Sequence, residues 1–375
     1  MQMNKLKSLA SIGLADVVGS GITSIFWFYI ATLIEPEQYG EIHYFIGIAA
    51  IGSVISLFGT QNTLVVYTAK NIKINATFYL ISLVIGAISS LIVIIIFLRS
   101  DVAIVLLGYI INTLAISDLL GKKLYNSYSK YILLQKILTL VLGLGFFYGF
   151  GVEGILYALA FSYIGFTIRI YKGFKESKIS FSHLKPRLGF IANNYVIGLV
   201  SGFGGQIDKL IVGPLLGFAL LGNYSLALQV ISILSIFSTI IFKYMLSQDA
   251  SGNQNYRLKK YSIIVAIGIA IISITTLPSV IPTIFPKYNE VVEAVQIMSF
   301  GIISGTIGMI YTSKFLSLEK SKFVLISTLI ALGTVVISII ILGPIFGTVG
   351  IAISYLLATT ISTSFLVGMD KLIKL

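Results

Sequence analysis

"FYLISLVIGAISSLIVIIIFLRSDVAIVLLGYIINTLAISDLLGKK" occupies residues 78–123. Two long apolar runs flank the short turn at Arg99, Ser100 and Asp101, and Lys122 and Lys123 close the second run. A helix needs about 20 mostly apolar residues to cross a bilayer. Residues 77–98 and 101–121 each meet that length. They are too long and too uniformly apolar for the alternating strands of a membrane barrel. With every backbone amide to be satisfied inside the chain, two runs of this kind predict a transmembrane helical hairpin.

The same reading extends over the whole chain. Of its 375 residues, 57% are hydrophobic and 11% are charged, whereas a soluble domain carries about a quarter charged residues. The expected fold is all-α, a polytopic integral membrane protein. About twelve spans are expected, at 9–33, 42–66, 77–98, 101–121, 131–149, 152–171, 189–213, 217–243, 261–285, 291–314, 322–343 and 347–369. Long connections are expected only at 172–188 and 244–260. No cysteine occurs, which excludes disulfides and thiolate metal sites. Residues 1–10 are short and basic, and the apolar run after them is too long for a signal-peptide core, so it reads as the first span.

The formal net charge of +12 is explained once the charges are placed. Alternate connections carry Lys5 and Lys7; Lys70 and Lys73; Lys122, Lys123 and Lys130; Lys172, Lys175, Lys178, Lys185 and Arg187; Arg257, Lys259 and Lys260; Lys314, Lys320 and Lys322; Lys371 and Lys374. The others carry only Arg99 and Lys287 among Glu35, Glu37, Glu41, Asp101, Glu153, Glu290 and Glu293. By the positive-inside rule both termini are cytoplasmic, in a cell membrane. The basic, aromatic stretch 169–187 then reads as a linker at the membrane surface that meets lipid headgroups, and no nucleic-acid partner is expected.

That linker sits at the midpoint and divides the chain into six-helix bundles at 1–171 and 189–375, joined by 172–188. Gly40 in "LIEPEQYGEIHY" (33–44) matches Gly222 in "LLGFALLGNYSL" (215–226), 182 residues later. Parallel repeats of this kind place a substrate path between the halves.

Soluble-enzyme signatures are nearly absent. "GFGVEG" (149–154) fits GxGxxG, but it forms an outer turn between helices with no strand before it, and is read as a chance match. His43 and His183 are expected at the surface, far apart. No metal and no cofactor are expected. Polar residues at membrane depth remain. Asp16 lies about 16 Å of helix beyond Lys5, where a lipid-facing carboxylate would cost about 3 kcal/mol or more. It is either a carboxyl bonded to Asn62 or Gln61, or a cation or proton site. Asp208 and Lys209 are adjacent and point about 100° apart on a helix, so they cannot pair well with each other. They are either a snorkelling interfacial pair or, with Gln206, the outer end of an anion-binding cavity. Gly202, Gly204 and Gly205 are expected to bend the seventh span beside that cavity, and Pro278 and Pro282 to kink the ninth. Gly301 and Gly305 form GxxxG and are expected to pack a neighbouring helix.

The stretch "GLADVVGSGITSIFWFYIATLIEPEQYGEIHYF" (13–45), the "LFGTQNTLVVYTAK" end of the second span and "DKLIVGPLLGFALLGNYSLALQ" (208–229) resemble the Wzx-like lipid-linked oligosaccharide flippases. That family lies in the superfamily of MATE exporters and MurJ-type lipid II flippases. The resemblance implies two six-helix bundles around a cleft, translocation of a polyprenyl-diphosphate-linked glycan to the outer leaflet, and partnership with membrane lipids and other polysaccharide-assembly proteins. The chain departs from the MurJ-type branch in lacking a cluster of cavity arginines: its helix-embedded cations reduce to Lys136, Lys209 and Lys243. A MATE-like cation-coupled exporter is the alternative, and would use Asp16. A membrane-embedded glycan polymerase or ligase ranks last, because no outer connection is long enough to carry its chemistry.

The charge pattern fixes a topology that labelling can check. Cysteines at Glu37 and Asn289 are expected to react with an impermeant thiol reagent added outside intact cells, and one at Lys178 is not. Labelling at 178 would overturn the twelve-span topology.

Overall fold

The computed structural model describes residues 2–250 and 255–373, with side chains from residue 13 onward except 183, 243, 247 and 250. The side chains of Lys5, Lys7, His183 and Lys243, and the whole of Lys374, lie outside the described residues. The helices in chain order are α1 (Gln2–Leu33), α2 (Pro36–Leu57), α3 (Thr60–Ala69), α4 (Asn75–Phe97), α5 (Ser100–Gly121), α6 (Tyr125–Phe150), α7 (Gly154–Ser162), α8 (Thr167–Glu176), α9 (Leu188–Gly204) and α10 (Ile207–Leu216). They continue with α11 (Phe218–Leu234), α12 (Ile236–Ala250), α13 (Tyr256–Ile284), α14 (Val291–Ser317) and α15 (Ser321–Ile373). No strand occurs among the described residues.

Eight helical stretches are long and apolar enough to span a membrane, and the bent pairs α9–α10 and α11–α12 raise the number to 10. Two of the eight, Tyr125–Glu176 and Ser321–Ile373, run to 52 and 53 residues. A straight helix of that length would reach roughly 80 Å, more than twice the hydrocarbon thickness. Each instead reverses at a glycine. Gly151 has φ 71°, ψ −155°, and Gly347 has φ 56°, ψ −134°, a region that side chains rarely enter. Three residues on, a Cβ at Gly154 would strike the carbonyl of Phe146, and one at Gly350 the carbonyl of Leu342. Both hairpins therefore close on backbone contact, and the described residues supply about twelve spans, in line with the sequence. One connection differs from expectation. Residues 244–250 continue α12 and 256–260 already belong to α13, so the described part of 244–260 is helical except Asn255.

Packing divides the chain into two units, Met1–Phe26 with Phe45–Phe203, and Trp27–Tyr44 with Gly204–Leu375. In each, polar bonds gather the connections that share a charge class. At the basic end of the first unit, the Ala76 amide donates to Ser177 Oγ at 2.9 Å and Lys122 pairs with Glu176. At the opposite end, Ser100 Oγ and the Tyr157 hydroxyl are 2.8 Å apart. In the second unit, Lys314 pairs with Asp370 at 2.7 Å at the basic end. Lys287 pairs with Glu35 at 2.9 Å and Thr348 with Glu290 at the other.

Inside the second unit, Gly40 and Gly222 meet each other. A Cβ on Gly40 would overlap the carbonyl of Phe218, and one on Gly222 would overlap the carbonyl of Pro36. The exchange is reciprocal: each glycine lies against the backbone four residues before the other. Small residues permit such close approach, which is what drives helix association in lipid, where burial of apolar surface contributes little. The expected GxxxG contact is made differently. Gly301 lies against the Tyr355 ring and Gly308 against Thr363, while Gly305 faces open space.

Gly40→Ala or Gly222→Ala is expected to destabilise the protein by about 1–3 kcal/mol, because the backbones must separate. Gly21→Ala, where a Cβ meets nothing within 4 Å, is expected to be neutral or slightly stabilising. Thermal unfolding of the three purified variants in one detergent measures the contrast.

Candidate functional site

The break between α9 and α10 bends the seventh span by 41° and falls at residues 204–206. Gly202 lies before it and is a packing glycine, since a Cβ there would press on Val54. Lys209 sits in the first turn of α10. Its ammonium donates to Gln206 Oε1 at 2.8 Å and is 3.4 Å from the Gly205 carbonyl. Asp208 turns away from it. Its Oδ2 accepts from the Tyr224 hydroxyl at 2.8 Å, and its Oδ1 from the Lys209 backbone amide at 2.8 Å. Tyr224 on α11 is 1% exposed, whereas Gln206, Asp208 and Lys209 are half-buried. The carboxylate is thus held by a phenol, and the Lys209 ammonium is bonded to neutral oxygens. A half-buried cation held this way is a ready contact for an anion.

His43 corrects an expectation. It is buried, not at the surface. Its ring lies 4.7 Å from Trp27 and 4.5 Å from Tyr39, near enough to Lys209 to feel its charge. Tyr39 packs edge-on against Tyr288. Four aromatic rings from α1, α2 and the α13–α14 turn therefore close this end of the second unit. No local periodicity marks His43 as interior, because α2 is apolar on most sides.

Asp16 lies in the first unit. Its Oδ1 accepts from the Tyr128 hydroxyl on α6 at 2.9 Å, not from Asn62 or Gln61. Lys136, two turns further along α6, lies close enough to Asp16 to interact with its charge, its stem crossing Gly19. Asn62 and Gln61 are exposed on α3. The structure therefore brings Gln206, Asp208 and Lys209 together, and leaves Asp16 and Asn62 in the other unit, not bonded to each other.

Pro278 and Pro282 lie within α13, which runs to Ile284. Proline at 278 leaves the carbonyl of Ile274 without its helical donor. Gln296 Nε2 from α14 supplies one at 3.2 Å. A broken ladder inside a bundle is tolerated because a neighbour repairs it.

The strongest polar cluster was unmarked by the sequence motifs. Asp118, 0% exposed, accepts from Arg169 Nε at 2.5 Å and from Asn75 Nδ2 at 2.6 Å, and pairs with Lys122 at 2.9 Å. Arg169 and Lys122 share Glu176 as a second partner. Three helices, α4, α5 and α8, and the turn after α5 are tied at the basic end. The available signal was an acid among the basic connections, with an arginine inside the sixth span. The second unit has a cluster of the same kind: Asp249 pairs with Lys259 at 2.9 Å and accepts from Ser313 at 2.7 Å.

No family model and no curated protein matches the chain. Solved structures do. The lipid II flippase MurJ is similar with a TM-score of 0.79 at 13% identity, covering 96% of this chain and 87% of that one. A multidrug resistance MATE family transporter of the MOP superfamily gives 0.66 at 16% identity over 95% and 94%. A MOP superfamily transporter from Pyrococcus furiosus gives 0.62 at 16% over 97% and 95%. The fold is the multi-span helical fold of these membrane transporters.

Removing one partner of a buried ion pair is costly. Asp118→Asn is expected to lower stability by about 3 kcal/mol. Pairing it with Arg169→Gln should cost less than the sum of the two single changes. Denaturant unfolding of the single and double variants reads the coupling.

Proposed function

We propose that the protein is a flippase for cell-surface polysaccharide synthesis. It moves a polyprenyl-diphosphate-linked oligosaccharide from the cytoplasmic to the outer leaflet by alternating access of bundles 1–171 and 189–375, joined by 172–188. The observation that carries the reading is the Lys209 ammonium. It sits beside a bend in the seventh span, bonded to Gln206 and Gly205 oxygens while Tyr224 takes the neighbouring Asp208. A diphosphate needs such a cation, and the polyprenyl tail can remain in lipid.

The membrane potential is a sufficient drive. A diphosphate diester carries about two negative charges, so outward movement driven by 100 mV, inside negative, releases about 4–5 kcal/mol. No gradient of another ion is required. The alternative, a MATE-like cation-coupled exporter, needs a carboxylate that takes up a cation from solution. Asp16 is an intramembrane carboxylate, which favours that reading. However, its own chain already supplies the Tyr128 hydroxyl and the nearby Lys136 charge, and this favours the flippase.

Export of glycan to the surface, at matched membrane abundance, separates the two readings. Lys209→Ala is expected to lower export at least tenfold, the scale of one lost charged contact. Lys209→Arg should retain part of it, since the charge survives while the geometry changes. Asp16→Asn should be mild. A dead Asp16→Asn beside a fully active Lys209→Ala would favour the cation-coupled exporter.

A further inference from the structure

The second span is broken between α2 and α3, where Phe58 and Gly59 both take positive φ, 49° and 71°. The carbonyls that the break releases are satisfied by side chains. Thr60 Oγ1 donates to Leu57 O, Thr63 Oγ1 to Gly59 O at 2.7 Å, and the Tyr195 hydroxyl of α9 to Ile55 O at 3.3 Å. The break is thus closed against α9. Helix α9 lies against it, since a Cβ on Gly59 would meet Ile191 O and the Tyr195 backbone.

Side chains at the break are nonetheless exposed. Phe58 is 38% exposed, and its ring lies 5.1 Å from that of Tyr195. Gln61 and Asn62 follow in the first turn of α3, both exposed, on the side away from the buried Thr60, Thr63 and Leu64. Neither amide forms a hydrogen bond among the described residues. Asn62 is about 12 Å of helix from Lys70 at the basic end, well inside a hydrocarbon core about 30 Å thick. Two unsatisfied carboxamides facing lipid at that depth would be costly, so this face meets water or a polar ligand. The ligand chemistry follows from the parts. Carboxamides donate and accept together, which matches vicinal hydroxyls. An aromatic ring edge and face offer an apolar platform, which matches the C–H face of a pyranose.

We infer that Phe58, Gln61, Asn62 and Tyr195 form a sugar-binding subsite at the break of the second span, which holds the glycan of the translocated lipid. The inference rests on the flippase reading, and the Lys209 contact to the diphosphate is separate from it. In this subsite a pyranose stacks on the exposed Phe58 ring beside the half-buried Tyr195 ring, and its hydroxyls bond the two amides. The broken backbone is the device that turns these side chains outward at mid-membrane depth.

Binding to the purified protein in nanodiscs tests this with two probes: a synthetic polyprenyl diphosphate carrying a disaccharide, and the same lipid diphosphate without sugar. The expected result is that Gln61→Leu with Asn62→Leu lowers the ratio of the two affinities about tenfold, the scale of two lost hydrogen bonds. Tyr195→Ala should lower it likewise, while Tyr195→Phe and Phe58→Tyr keep the rings and most of the ratio. An unchanged ratio in the double amide variant, with both probes still weakened by Lys209→Ala, would overturn the subsite and leave the flippase reading standing. Failure of the wild type to bind either probe would overturn both.

Discussion

Every backbone amide at membrane depth must find a partner inside the protein, and the departures from regular helix in this chain are organised by that demand. Where the second span breaks at Phe58 and Gly59, hydroxyls of Thr60, Thr63 and Tyr195 take the released carbonyls. Where Pro278 removes a donor, Gln296 replaces it. Where the seventh span breaks before Ile207, the Lys209 and Leu210 amides return to the Gln206 carbonyl. Each irregularity is held by a named neighbour, and each turns polar side chains to a place that a straight apolar helix could not offer. In this way structural repair and the candidate sites share residues: Tyr195 and Gln206 serve both.

The chain solves its packing problems twice. Gly151 and Gly347, 196 residues apart, make the same reversal. At the same spacing Gly154 and Gly350 make the same close approach. The turns after α5 and α14 also match: Lys123 and Glu319 both take positive φ, with the same pattern of closing hydrogen bonds. Electrostatics follows the repeat with reversed sign. Asp118 on α5 meets Arg169, whereas Lys314 at the corresponding place on α14 meets Asp370. What is common is the ion pair and its position, since either polarity ties the two helices.

Charged side chains in the helices are paired unequally. Asp118 and Asp249 are each neutralised by cations of their own unit, and Asp16 has Tyr128 and Lys136 nearby. Lys209 is bonded to neutral oxygens. Asp208 beside it is likewise held by neutral donors, the Tyr224 hydroxyl and the Lys209 backbone amide. These pairings belong to the side-chain geometry, not to the composition, which is basic throughout.

The sequence by itself determined the all-α membrane class, the spans and the sorting of connections by charge. These depend on local quantities: the run length of apolar residues, and lysine and arginine at the ends of those runs. It also marked Gly40 and Gly222 as a related pair, and the glycines near 204 as a break. The tertiary structure decided what these residues touch. The Gly40 and Gly222 backbones meet, Asp16 takes Tyr128 in place of Asn62, His43 is buried among aromatic rings, and Asp118 gathers Arg169 and Asn75. "FGVEG" at 150–154 and "FGTVG" at 346–350 share a pattern that carries no nucleotide-binding meaning. Its meaning is a hairpin geometry shared by two distant places. The reason is physical. In an apolar helix nearly every face reads as interior, so periodicity cannot say which face meets protein, lipid or water, and a polar partner lies tens to over a hundred residues away.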